Sequence, residues 1–206
     1  MELTQDITIQ TAIEEGLTKG ISYSQYRDEV SNFVDNEDTS GPNKTEALIN
    51  YTMLNDRRMK RWDKTIKVSD EVKARVENFK GNVTWLVLTE SWCGDAAHVL
   101  PFVNKVAELS DHIELKLLYR DENEVLMDAF LTNGGRSIPK LIMIDNTSGN
   151  VLDTYGPRPS IATQLVIDHK EKHGVLLPEF KEELQLWYNK DKGHTTIQDL
   201  LKLLKV

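Results

Sequence analysis

A single cysteine, Cys93, stands among 206 residues, so no disulfide can form within one chain. No run of eighteen apolar residues occurs, and no transmembrane helix is expected. The segment Met1-Glu2-Leu3-Thr4-Gln5-Asp6 has neither the basic start nor the apolar core of a signal peptide. Taken with the lone thiol, this makes the cytoplasm the expected location, because thiols stay reduced there. Positive charge is in deficit: 25 Lys and Arg face 33 Asp and Glu, for a net charge of -8. A nucleic-acid partner is not expected, since such affinity rests on neutralising phosphates. No cofactor or metal site is expected either. His169 and His173 share i, i+4 spacing but have no clustered carboxylate or cysteine, and read as surface residues. Gly134-Gly135 reads as a turn, because no phosphate-loop lysine follows. No internal repeat or low-complexity tract is present.

Hydrophobic residues make up 39% of the chain, enough to bury a core. Residues 1–66 carry helical apolar spacing at Ala12, Ile13 and Leu17, then at Tyr26, Val30 and Phe33 or Val34. The polar run at 36–43 reads as a loop. A third helix follows, with Ala47, Leu48, Tyr51 and Leu54 as its expected apolar face. It runs into a basic knot, Arg57-Arg58-Met59-Lys60-Arg61, read as a solvated face near a helix C-terminus or as a contact for an acidic partner. Tyr23, Tyr26, Tyr51 and Trp62 fit core packing better than a ligand site.

From Ser69 the pattern alternates between helix and strand. Ser69 caps a helix that Gly81 stops, and Val83–Leu88 is a buried strand. A helix follows Cys93, then a strand at Ile113–Tyr119, a helix carrying Val125, Leu126, Ala129 and Phe130, and a strand at Leu141–Ile144. A hairpin leads into a strand ending at Tyr155, followed by a helix from Ser160 to Lys172. Strands separated by helices imply parallel neighbours, and the closing hairpin adds an antiparallel one. Pro178 opens another helix, and a last one is expected from Thr195, with Gln198 completing a capping box. The Leu stripe of that last helix reads as docking onto the chain's own core. The organisation is α/β, in three parts: a helical extension at 1–66, the α/β domain at 67–174 and a helical extension at 175–206.

Cys93 lies where a strand hands over to a helix. Orphan amides and the positive end of the helix dipole favour a thiolate there. The flanking residues Trp92, Gly94 and Asp95 are candidate substrate contacts. Asp95 favours the helix dipole but opposes a neighbouring thiolate, since like charges disfavour ionisation. It reads as a helix-capping residue or as a proton relay. His98, about 140° around the helix from Cys93, is not expected to face the thiol.

Trp92-Cys93-Gly94-Asp95-Ala96, with Pro101 eight residues after the cysteine, resembles the active-site segment of thioredoxins, which reads Trp-Cys-Gly-Pro-Cys. Ser137-Ile138-Pro139-Lys140, ahead of a strand, resembles the family's cis-proline landmark. The Tyr155-Gly156-Pro157-Arg158-Pro159 segment and the helices after it resemble a bacterial thioredoxin-like subgroup carrying Trp-Cys-Gly-Asp. The resemblance implies a thioredoxin-like fold, a mixed sheet flanked by helices, with helical extensions at both ends. It also implies substrate alignment beside Ile138 and Pro139. Three departures qualify it. Asp95 stands where proline is usual. Ala96 replaces the resolving cysteine, and Val87 stands where many thioredoxins bury an aspartate. The expectation is a monothiol protein whose Cys93 attacks a protein disulfide or a low-molecular-weight thiol disulfide and is resolved by an external thiol. The alternative is a redox-inactive module that binds a protein partner through the helical extensions. Lys140 is a candidate for offsetting the Asp95 charge or holding a substrate carboxylate and Arg136 is a similar one, but a solvated surface position is the better reading of each.

Overall fold

The computed structural model describes residues 2–206; Met1, at the head of the segment read for an export signal, lies outside them. The four strands form one sheet in the order β2-β1-β3-β4, where β1 is Val83–Thr89, β2 Ile113–Tyr119, β3 Lys140–Asp145 and β4 Val151–Tyr155. Every residue of β1 is buried, as the apolar run Trp85–Leu88 requires of a strand covered on both faces. Trp85 pairs with Leu115 on one side and Met143 on the other.

Only β1 and β2 are parallel; β3 runs antiparallel to β1 and β4 antiparallel to β3. The rule that a helix between strands makes them parallel neighbours therefore holds once. The chain leaving β2 passes β1 and pairs on its far side, so β2 and β3 are not neighbours at all. The outer edge of β2 is covered by an antiparallel bridge between Ile21 and Leu117. The edge strand β4 is the least buried.

Helices α1 (Glu2–Lys19), α2 (Tyr23–Asp35) and α3 (Glu46–Thr65) precede the sheet. Then come α4 (Asp70–Glu77), α5 (Gly94–Ala107) between β1 and β2, and α6 (Glu124–Ala129) between β2 and β3. Helices α7 (Ser160–His173), α8 (Pro178–Asp191) and α9 (His194–Leu204) close the chain. Ser22, Thr45 and Ser69 each cap a helix through a side-chain oxygen, which satisfies one of its orphan amides. Helix α3 packs along α5, while α9 packs on α5, α4, α7 and β4, burying Ile197, Leu200, Leu201 and Leu204. This is a thioredoxin-like fold with helical extensions at both ends. Among the described residues no helix is long and apolar enough to cross a membrane.

Three local expectations are corrected. First, α3 does not bury its apolar stripe. Tyr51 and Leu54 are exposed, and the buried face carries Thr52, Asn55, Asp56, Met59 and Trp62. Second, α4 ends at Glu77 with Asn78 as its C-cap. Gly81 serves the loop beyond it, where the Phe79 ring lies so close that a Cβ would come within 2.3 Å of it. Third, the capping box at the last helix is absent. Gly193, at φ 74°, occupies the N-cap, and Thr195 Oγ1 and N–H donate to the Asp191 carboxylate instead. A smaller difference is in α6, which buries Leu126 and Met127 and leaves Val125 exposed.

Candidate functional site

The turn at Glu90–Trp92 is clamped by residues far away in the sequence. Ser91 Oγ meets Thr52 Oγ1 at 2.8 Å and Thr39 Oγ1 at 3.1 Å, and accepts from the Ser40 amide at 3.0 Å. The Ser91 amide donates to Ser40 Oγ at 2.8 Å, and Asn55 Nδ2 donates to the Ser91 carbonyl at 3.0 Å. Ser40 Oγ also donates to the Glu90 carboxylate, which accepts from the Asp121 amide at 2.9 Å. Burial lifts Glu90 above the ordinary carboxylate range, against these two donors. The polar face of α3 is thus turned inward to satisfy this turn, because buried polar groups must be paired.

Cys93 occupies the N-cap of α5, and the Ala96 amide donates to its sulfur at 3.4 Å. Its thiol donates to the Ile138 carbonyl at 3.3 Å, and the residue is only 7% exposed. Burial, then the Asp95 carboxylate, push the thiol up to about 12, outweighing the helix amides. The sequence set the dipole against Asp95 and left the balance open; the structure tips it upward. The dipole is present, but desolvation of a buried thiolate is the larger effect.

Asp95 neither caps α5 nor stands free to relay a proton. Its Oδ2 is 2.6 Å from Arg158 Nη2, and its Oδ1 accepts from the Tyr188 hydroxyl at 2.8 Å. Burial raises its pKa, with Arg158 and Tyr188 pulling the other way. The Tyr188 ring stacks on His98 with centroids 4.5 Å apart and planes 3° apart. His98 Nδ1 accepts from Trp62 Nε1 at 3.1 Å, so the neutral ring carries its proton on Nε2, 2.9 Å from Gln185 Oε1. Above the Trp92–Asp95 turn lies a cleft of about 480 Å³, roofed by Phe180, Leu184 and Gln185 of α8 and walled by Leu48, Tyr51 and Arg58 of α3.

A thioredoxin family model, Thioredoxin_9, matches residues 41–172, more than half of the chain. The chain belongs to this thioredoxin family. The matched stretch begins before α3, so the helix that clamps the cysteine turn lies inside it. No curated protein matches the sequence significantly. Two solved structures share the fold with this thioredoxin-family chain. One is a protein of unknown function from Pseudomonas aeruginosa, at TM-score 0.64 and 18% identity, covering 93% of this chain and 96% of that one. The other is an HIV epitope-scaffold, at TM-score 0.55 and 20% identity, covering 90% and 98%.

Of the site residues read from the thioredoxin motif, Trp92, Cys93, Gly94 and Asp95 meet at the cleft. Ile138 and Pro139 are buried behind the cysteine, and the peptide between them is cis, as the family landmark implies. A second cis peptide joins Gly156 to Pro157; there a Cβ on Gly156 would sit 2.2 Å from the Pro139 carbonyl, so only glycine fits. Lys140 donates to Thr132, and Arg136 pairs with Asp128 and Glu124, so neither is turned to the cysteine. His98 does not reach the thiol, as its helical angle implies, but it is a buried joint rather than a neutral bystander. Val87 is buried core. The His169 and His173 rings lie 4.5 Å apart, and among the described residues no group of side chains could hold a metal.

Sequence reading missed Thr39, Ser40, Thr52, Asn55 and Glu90 around the turn, and Arg158 and Tyr188 around Asp95. The basic knot reads from sequence as a solvated face or a contact for an acidic partner. Arg61 instead stacks on Trp62, and Arg58 turns toward Gly94. The one available signal was the polar stripe of α3 at helical spacing, which reads as a solvent face until a second polar surface is known to lie beneath it.

Proposed function

We propose that this chain is a redox-inactive thioredoxin-fold binding module that works in the cytoplasm through noncovalent contacts at the cleft above Cys93. The observation that carries this reading is the state of the thiol. It is buried, it spends its proton on the Ile138 carbonyl, and its pKa is pushed far from neutrality. Ala96 supplies no resolving sulfur, so a mixed disulfide would have no internal exit.

Monothiol exchange remains the second reading, because Cys93 touches the cleft and the Ala96 amide points at its sulfur. In that chemistry the Cys93 thiolate attacks a disulfide and a thiolate leaves. An external thiolate then attacks the mixed disulfide and returns Cys93. Alkylation by iodoacetamide separates the two. A thiol near 12 holds about a thousandfold less thiolate at pH 7 than one at its ordinary value. The rate should fall at least about a hundredfold below that of glutathione and climb with pH through 10. Thioredoxin reductase should drive no disulfide turnover. Alkylation as fast as a free thiol at pH 7 would overturn the proposed reading in favour of the second.

A further inference from the structure

The cleft above Cys93 carries an unusual balance of charge for a chain of net charge -8. Its walls hold Arg58, Arg158 and Lys181 against Asp95 and Glu182. Arg158 is consumed by Asp95, which also takes the Tyr188 hydroxyl. Arg58 is not consumed. Its Nη1 donates to the neutral Asn55 Oδ1 at 3.0 Å, and among the described residues it makes no ion pair. Half-buried guanidinium groups are ordinarily paired, because their desolvation must be offset. Burial and the nearby Arg61 press the Arg58 pKa downward, and the Asp95 carboxylate, already ion-paired with Arg158, offsets this only in part.

The neighbouring geometry leaves room for that charge. Arg58 Nη1 is the single heavy atom within 4 Å of where a Gly94 Cβ would stand, at 3.7 Å, so the space over the first turn of α5 is open. Apart from Gln185, the rest of the lining is largely apolar: Leu48 and Tyr51 on one wall, Trp92 on the floor, Phe180 and Leu184 of α8, and Leu176 just before it. This explains why the apolar stripe of α3 stays outside the core. Leu48 and Tyr51 face the cleft, and Tyr51 is 51% exposed. A volume of about 480 Å³ falls in the range of small-molecule sites. The backbone beside Pro139, where an extended peptide would have to align, is already occupied by the Cys93 thiol.

We infer that the cleft binds a small apolar acid, its carboxylate held by Arg58 above Gly94 and its hydrocarbon body enclosed by Leu48, Tyr51, Trp92, Phe180 and Leu184. This rests on the reading of the chain as a noncovalent binding module and names its ligand class. The first turn of α5 adds a favourable dipole for the carboxylate, and Lys181 on the roof adds a second positive charge. The apolar body supplies the affinity, while Arg58 selects the acid over its neutral analogue.

Titration of the intact chain with octanoate, 1-octanol and propionate tests this, followed by tryptophan fluorescence and by calorimetry. Octanoate should saturate at one site, with octanol at least tenfold weaker and propionate showing no saturation. Arg58→Gln, checked for an unchanged thermal midpoint, should weaken octanoate by about ten- to a hundredfold and leave octanol unchanged, as expected for loss of a charge-assisted contact. Tyr51→Ala, a change at an exposed position, should weaken octanoate and octanol alike. Bound octanoate should also slow alkylation of Cys93. Equal binding of octanol and octanoate, or an Arg58→Gln affinity equal to wild type, overturns the inference, as does no binding by any probe. Failure here leaves the thiol-reactivity result untouched, so the two readings fall separately.

Discussion

His98 joins the core to the site. It lies between Trp62 of α3 and Gln185 and Tyr188 of α8, and it is 2% exposed. Burial first, then Arg58 and Arg61, hold its pKa down to about 4 from an ordinary 6.5. Between these two values the unfolded chain binds more protons than the folded one, so stability rises with pH across that window. The contribution is fully present above pH 6.5 and is lost as the pH falls through 4. The shift corresponds to about 3 kcal/mol. Urea midpoints measured from pH 7.5 to 4 should therefore fall steeply below 6.5. In His98→Gln that part of the slope should vanish, even though the variant starts less stable. A wild-type midpoint that stays flat from 6.5 to 4.5 would show that His98 titrates in the folded protein.

At the scale of elements, α8 and Cys93 line the same cleft, so α8 is expected to govern access to the thiol. The helix is held over the cleft by Phe180, Leu184 and Tyr188, and it joins the site through the Tyr188–Asp95–Arg158 chain and through Gln185 and Tyr188 on His98. The chain segments on either side of it turn through positive φ at Gly174, Lys192 and Gly193. Removing the Tyr188 hydroxyl leaves Asp95 with Arg158 alone and deletes a contact worth about 1–2 kcal/mol. Tyr188→Phe should accordingly speed Cys93 alkylation about five- to tenfold at pH 8, by raising the population in which α8 is lifted. Leu184→Ala should act in the same direction through lost packing. If both variants alkylate at the wild-type rate, α8 is not what covers the thiol. Much of this was hidden in the sequence. The strand, turn and helix that carry Cys93 are consecutive, and their periodicities are local, so they could be read directly. Asp95 and Tyr188 are 93 residues apart, and neither residue type signals a partner. The buried face of α3 was misread for a related reason. Thr52 and Asn55 look like solvent residues, and only the tertiary fold shows that the polar turn at Ser91 lies beneath them.

At the scale of the whole molecule, the sequence suggested a central domain at 67–174 with two helical additions. The sheet itself was legible because β1 and β3 are short apolar runs between turn signals, β2 alternates before turning apolar, and a turn sequence introduces β4. Its direction pattern was not, because nothing local says on which side of β1 the chain returns. The interior crosses both suggested boundaries. Met59 and Trp62 before residue 67, and Leu200 and Leu201 after residue 174, are buried in the same cluster as Trp85, Leu86 and Phe102. A fragment of residues 67–174 would leave His98 without Trp62 and Gln185, strip Ser91 of Thr39, Ser40, Thr52 and Asn55, and expose the face of α5 that α9 covers. Each orphaned buried polar group costs about 1–3 kcal/mol, and the lost apolar burial adds to that, against a typical stability of about 5–15 kcal/mol. The fragment should therefore lack a cooperative thermal transition and a near-ultraviolet circular dichroism signal. The full chain should unfold in one transition, with both signals lost together. A fragment that melted cooperatively with intact aromatic dichroism would mean that the flanking helices are separable layers, and that the clamp on the cysteine turn is assembled after the domain has folded.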